Sequence, residues 1–168
     1  MILAVDVHYS KDQAVAAGVV FETWQDEQAQ KECFSLVEGV ADYEPGKFFK
    51  RELPCILKLI ADHQLRPDCI LIDGYVFLDG HSEAGLGKYL YDTLDGAASV
   101  IGIAKKRYKN IDAKYEIYRG ASRKPLYITA VGMDVDQAKR NILTMHGKYR
   151  LPTIIKRVDQ LCRGHRTD

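Results

Sequence analysis

Ile2 to Tyr9 alternates apolar and polar positions in the period of a β-strand, and Gln13 to Phe21 follows as its partner across a Lys11-Asp12 turn. Thr23 to Gln30 is polar and loop-like, and Glu32 to Val40 predicts a third strand. Pro45-Gly46 then marks a turn. Beyond it Phe48, Phe49, Leu53, Ile56, Leu57, Leu59 and Ile60 recur at helical spacing, with Pro54 early enough to be a first-turn or kink residue. Cys69 to Ile72 is an uninterrupted apolar run that reads as a short buried strand delivering Asp73 at its end, with Gly74 next. Ala84 to Thr93 predicts a helix, and Ala98 to Ala104 a second buried strand. Tyr115 to Tyr118 and Leu126 to Val131 predict two further strands joined by the basic turn Arg119 to Lys124. A helix over Asp134 to His146, with Asp134 at its N-cap and Gly147 ending it, precedes a last basic helix over Thr153 to Arg163.

Three antiparallel strands followed by strands alternating with helices predict an α/β fold, a mixed sheet with helices on both faces. The order is compatible with a ribonuclease H-like fold. The 168 residues fit one domain over residues 1–168. A hydrophobic fraction of 46% and a charged fraction of 28% are ordinary for a globular protein. No apolar run approaches the roughly 20 residues of a membrane span. Met1 to Asp6 has neither a basic region nor a signal-peptide core, so the expected location is the cytoplasm. Cys33, Cys55, Cys69 and Cys162 have no metal-ligand spacing and read as reduced, mostly buried thiols.

Net charge is only +1, but it is unevenly spread. Residues 1–84 carry 7 Lys and Arg against 15 Asp and Glu, a net of −8; residues 85–168 carry 17 against 8, a net of +9. An acidic centre facing a phosphate-binding rim would produce this asymmetry, as would two solvated faces that neutralise each other. Asp73 fits a ligand position, because sites in open α/β sheets collect at the carboxyl ends of strands, but Asp-Gly is also an ordinary turn. Asp6 is flanked by apolar residues, where a carboxylate is costly to bury unless paired or metal-bound; the alternative is a strand with one wet face. Glu52 near a helix start suits either chemistry or the helix dipole. Lys105, Lys106 and Arg107 at a strand's carboxyl end suit a phosphate contact or a solvated loop. If the first strand and the Asp73 strand are neighbours through a right-handed crossover, Asp6 and Asp73 converge on one hard cation such as Mg²⁺.

The sequence resembles the endonuclease V family, whose members cut nucleic acids near deaminated bases, notably inosine. The segments that carry the resemblance are Ala4-Val5-Asp6-Val7-His8-Tyr9, Tyr43-Glu44-Pro45-Gly46, Phe49-Lys50-Arg51-Glu52-Leu53-Pro54, Pro67 to Gly74, Ile101 to Lys105, and Tyr149-Arg150-Leu151-Pro152. They occur in the family's order and span nearly the whole chain. The resemblance implies that Asp6 and Asp73 bind the metal, that Glu52 is a third acidic catalytic residue, and that Lys105 lies near the scissile phosphate. It implies Mg²⁺, with Mn²⁺ as an alternative, and inosine-containing DNA or RNA as partner, bound by a monomer with no membrane. Tyr43, Pro45 and Gly46 match the wedge inserted beside the extruded base, and Lys106 and Arg107 add nucleic-acid contacts. An aromatic fills the gap that a flipped base leaves, and a weakly paired base is cheaper to extrude.

The chain departs from the family pattern in places. The family's Asp-Gly-His-Gly segment is here Asp73-Gly74-Tyr75-Val76, and His81 takes the place of a later histidine. No histidine stands near Met133, where Asp134 is either a residue placed around the metal or only a helix cap. The rival readings are a binder of deaminated nucleic acid that does not cut, and a different nuclease or phosphotransferase on the same fold.

Overall fold

A computed structural model describes residues 1–45, 47 and 49–164 of the chain. Gly46 and Phe48, expected in the wedge and at the helix start, lie outside the described residues.

The elements follow the predicted order, with shifted ends. Strand β1 (Ile2–Ser10) turns through Lys11, at φ 55°, into β2 (Gln13–Phe21). Strand β3 (Lys31–Glu38) stops short of the predicted Val40 because Gly39, at φ 67°, takes the backbone out of the sheet. Helix α1 (Phe49–Asp62) places Pro54 beyond its first turn, where the proline leaves the Lys50 carbonyl without its helical N–H. Strand β4 (Cys69–Asp73) ends at Asp73. Helix α2 (Leu86–Thr93) starts later than predicted because Ala84 pairs across to Phe77 as a bridge and the Gly85 N–H donates to the Val76 carbonyl at 2.8 Å. Strand β5 (Ser99–Ala104) is as expected apart from its first residue. The predicted strand Tyr115–Tyr118 contracts to β6 (Glu116–Ile117), since Asp112 accepts the Lys114 N–H at 2.8 Å and winds residues 113–115 into a 3₁₀ turn. Strand β7 (Leu126–Val131), helix α3 (Val135–Thr144) and helix α4 (Thr153–Cys162) complete the chain. Helix α3 ends before the predicted His146 because Met145 has left helical geometry, with ψ 146°.

All seven strands form one sheet in the order β3-β2-β1-β4-β5-β7-β6. Strands β3, β2 and β1 are antiparallel; β1, β4 and β5 are parallel; β5, β7 and β6 return to antiparallel. This is the ribonuclease H-like arrangement that the element order predicted.

Helices cover both faces. Cys55, Ile56 and Leu59 of α1 and Leu90 of α2 pack with Leu3, Val5, Ile70 and Ile72 on one side. Ala138 and Ile142 of α3 and Ile154, Val158 and Leu161 of α4 pack with Ile2, Ala4, Leu71 and Ile101 on the other. A strand buried on both faces has no reason to alternate, which is why Cys69 to Ile72 is continuously apolar. Among the described residues no helix is long and apolar enough to cross a membrane.

Candidate active site

The parallel pairing sets the site. Strand β1 matches β4 as Ile2 to Cys69, Leu3 to Ile70 and Ala4 to Leu71, and the same offset puts Asp6 level with Asp73. Ile2 and Ala4 face α4, as do Cys69 and Leu71. Side chains alternate along a strand, so Asp6 and Asp73 also turn toward α4. Both line one cleft at the carboxyl end of the parallel strands, together with Lys105, Leu151, Ile155 and Asp159. Lys105 follows β5 directly, and its Nζ lies 3.5 Å from Asp73 Oδ2.

The electrostatics of the cleft are those of crowded acids. Asp6 accepts the Val7 N–H at 2.9 Å, yet burial, and after it the Asp73 charge, pushes its carboxyl up to about 7. Glu52 stands in the first turn of α1, where a helix dipole favours the anion. Burial and then the charges of Asp73 and Asp6 win over that effect and push Glu52 up to about 8. Part of this acid charge is therefore suppressed near neutral pH unless a cation arrives.

Sequence reasoning missed two residues here. Asp159 and Cys162 are one turn apart on α4, and their ligand atoms lie with that of Asp6 within 4.8 Å of one another. Burial alone would raise the Asp159 carboxyl, but the Arg163 guanidinium, donating to it at 2.9 Å, holds it below the usual value. The Cys162 thiol is pushed up to about 12 by burial and then by Asp6 and Asp159, so it stays a neutral thiol beside them. A readable signal existed: Asp159 follows Ile155 by one helical turn, so it is a carboxylate on the apolar side of its helix.

Two arginines, one from the turn read as basic and one from the segment Tyr149 to Pro152, turn inward. Arg119 is only 5% exposed and donates to the carbonyls of Met145 (2.7 Å), Gly147 (3.0 Å), Tyr149 (2.6 Å) and Arg150 (3.4 Å). It thereby fixes the loop between α3 and α4. Arg150 donates from that loop to the carbonyls of Lys105 (2.6 Å) and Pro125 (2.7 Å), which holds the backbone of the cleft lysine.

Tyr75, at the position of the family's histidine, is also a tether. Its hydroxyl donates to the Lys106 carbonyl at 2.6 Å and accepts the Tyr108 N–H at 3.1 Å. Arg107 donates to the Ile111 carbonyl at 3.2 Å. His81 lies apart from the cleft, exposed, with Nε2 3.8 Å from Asp79. Asp134 caps α3 by accepting the Gln137 N–H at 3.2 Å and does not line the cleft either. Tyr43 and Pro45 are exposed on the loop before α1, where Glu44 pairs with Lys47 and Lys50.

Asp6, Asp73, Glu52 and Asp159 offer carboxylate oxygens, the donors that hard divalent cations take, in a place where the acids repel one another. The residues fit such an ion.

The chain is 28% identical over 185 residues to endonuclease V of Streptomyces avermitilis, covering 96% of this chain and 79% of that protein. The crystal structure of that enzyme superposes with a TM-score of 0.73 at 27% identity, over 96% of this chain and 79% of the other. Ciona intestinalis endonuclease V, solved with a 24-mer DNA containing an inosine followed by a ribo-adenosine, superposes with a TM-score of 0.79 at 20% identity, over 98% and 84% of the two chains. The family model for endonuclease V matches residues 1–124, which hold Asp6, Glu52, Asp73 and Lys105, and the chain accordingly belongs to the endonuclease V family.

Proposed function

We propose that the protein hydrolyses a phosphodiester bond near inosine in DNA or RNA, using Mg²⁺ held by Asp6 and Asp73. The observation that carries this reading is the cleft itself: two carboxylates level on adjacent parallel strands, with Lys105 3.5 Å from one of them. When bound, the cation supplies positive charge against the phosphate and lowers the pKa of a water at the reacting phosphorus. Asp159 stands close enough to Asp6 to join the ligand set.

The other roles belong to the chain. Lys105 offsets charge on the phosphate oxygens, and Arg150 keeps it there by holding its carbonyl. Glu52, in its ionised form, orients the attacking water and accepts its proton. A new P–O bond forms to that water while the bond to the leaving sugar oxygen breaks. Lys106 and Arg107, on the loop tethered by Tyr75, extend the cationic rim. Tyr43 and Pro45, exposed on the loop before α1, serve in this reading as the wedge beside an extruded base.

The test is a nicking assay on labelled oligonucleotides with one inosine or none, as DNA and as RNA. Cleavage of inosine strands alone, abolished by EDTA, is expected. Retained binding of the inosine strand with no cut under Mg²⁺ or Mn²⁺ would instead establish the non-cutting binder.

A further inference from the structure

Beside the acidic cleft runs a second, larger groove of about 850 Å³, between residues 27–32 and the start of α4. Leu151 lies in the wall of both. Tyr149 lines this groove and is 65% exposed, the highest value among the large hydrophobic residues described. Exposure of that ring stabilises nothing in the fold, whereas an exposed aromatic on a groove next to a catalytic cleft is suited to a ligand.

Its backbone is held unusually firmly for a loop residue. Arg119 grips the Tyr149 carbonyl at 2.6 Å. Gly120, at φ +60°, lets a neighbouring turn approach so closely that a Cβ there would lie 2.2 Å from the Lys148 carbonyl oxygen. The ring is thus presented from a fixed platform, which lowers the ordering cost of binding. The charges around it are mostly positive: Lys148 Nζ is 5.5 Å from the ring centroid, and Lys31 and Lys156 line the groove. Glu32 is neutralised by Arg157 in a two-pronged ion pair at 2.6 and 2.7 Å, and Glu27 lies 3.8 Å from His146.

We propose that Tyr149 is a stacking platform for an unpaired base of the strand that enters the acidic cleft, with Lys148, Lys156 and Lys31 meeting its phosphates. Aromatic rings beside a cationic track are how proteins hold single strands without reading sequence. The proposal rests on the nuclease reading and deepens it, since it assigns the enzyme a single-stranded flank within a few nucleotides of the cut. Tyr118, 55% exposed and close to Gly120 in sequence, offers a second ring on the adjoining segment.

Fluorescence anisotropy in EDTA tests it, with a labelled, inosine-free single strand of about twelve nucleotides and the matching duplex. Tyr149→Ala should weaken single-strand binding roughly tenfold and duplex binding much less, while Tyr149→Phe should match the wild type. In the nicking assay Tyr149→Ala should raise KM for single strands with kcat little changed. Unchanged single-strand binding by Tyr149→Ala, or an equal loss for strand and duplex, would overturn the proposal. Self-association of the protein abolished by Tyr149→Ala, with oligonucleotide binding intact, would also overturn it and make the groove a protein contact. A wild type that nicks normally with Tyr149→Ala indistinguishable removes the subsite alone. A wild type that holds the strand through Tyr149 but never nicks removes the chemistry alone.

Discussion

Asp73→Asn is expected to slow nicking of an inosine strand about a thousandfold, equivalent to roughly 4 kcal/mol of transition-state stabilisation, while binding changes little. The substitution keeps the shape of the side chain and removes its charge. That charge faces Lys105 at 3.5 Å and is the strongest single charge acting on both Asp6 and Glu52. Losing it weakens the hold on a divalent cation just where negative charge develops on the phosphate. It also frees Lys105 from its ion pair and lowers the carboxyls of Asp6 and Glu52 toward their usual values. The pH dependence of residual cleavage should therefore move to lower pH. Single-turnover rates with wild type and variant across pH read both effects. Undiminished cleavage by Asp73→Asn would remove this residue from the mechanism.

Heating the protein in EDTA should show a melting temperature that falls as pH rises from 5 to 8.5, by on the order of 5 °C or more. The sign follows from the folded-state carboxyls. Asp6 and Glu52 are raised from 3.8 and 4.5 to about 7 and about 8, so the folded state holds protons that the unfolded chain releases. Their contribution is fully present below pH 4 and is lost as pH rises through 7 and 8. A divalent cation satisfies the ionised forms, so Mg²⁺ should raise the melting temperature more at pH 8.5 than at pH 5. Asp159, held below its usual value through Arg163, stays ionised in both states over this range and leaves the trend unaltered. Asp6→Asn should flatten the pH profile in EDTA and blunt the response to Mg²⁺. A melting temperature that is level or rises over this range in EDTA would contradict the crowding of the acids.

Much of this was legible in the sequence because the informative residues sit in strongly patterned stretches. The apolar run Cys69 to Ile72 admitted one reading, a strand buried on both faces, and its end located Asp73. The hairpin of β1 and β2 and the helix carrying Glu52 were equally clear from period and turn residues. Polar groups whose partners are backbone atoms were invisible. Arg119 and Arg150 look like surface cations, since nothing in a sequence tells an arginine bound to carbonyls from one in water. Asp159 was lost within a helix read for its net positive charge rather than for its apolar side. His81 was drawn toward the site by family pattern, whereas the fold places it on an exposed turn; Asp134 takes the other reading it was given, the cap of α3. Tyr75 shows the converse: a departure from the pattern that acquired a local role, tying down the loop after Lys105.

The four cysteines are all free and buried, and the sheet divides them evenly. Cys33 and Cys55 belong to the packing on the α1 side, Cys69 and Cys162 to that on the α4 side. Each half of the interior therefore carries its own pair of chemical clocks, since a buried thiol meets an alkylating reagent only when its surroundings open. The two layers can be timed separately without introducing any label. Because Cys162 borders Asp6 and Asp159, its clock is geared to the acidic cleft, so occupancy of that cleft becomes readable as the lifetime of one sulfhydryl.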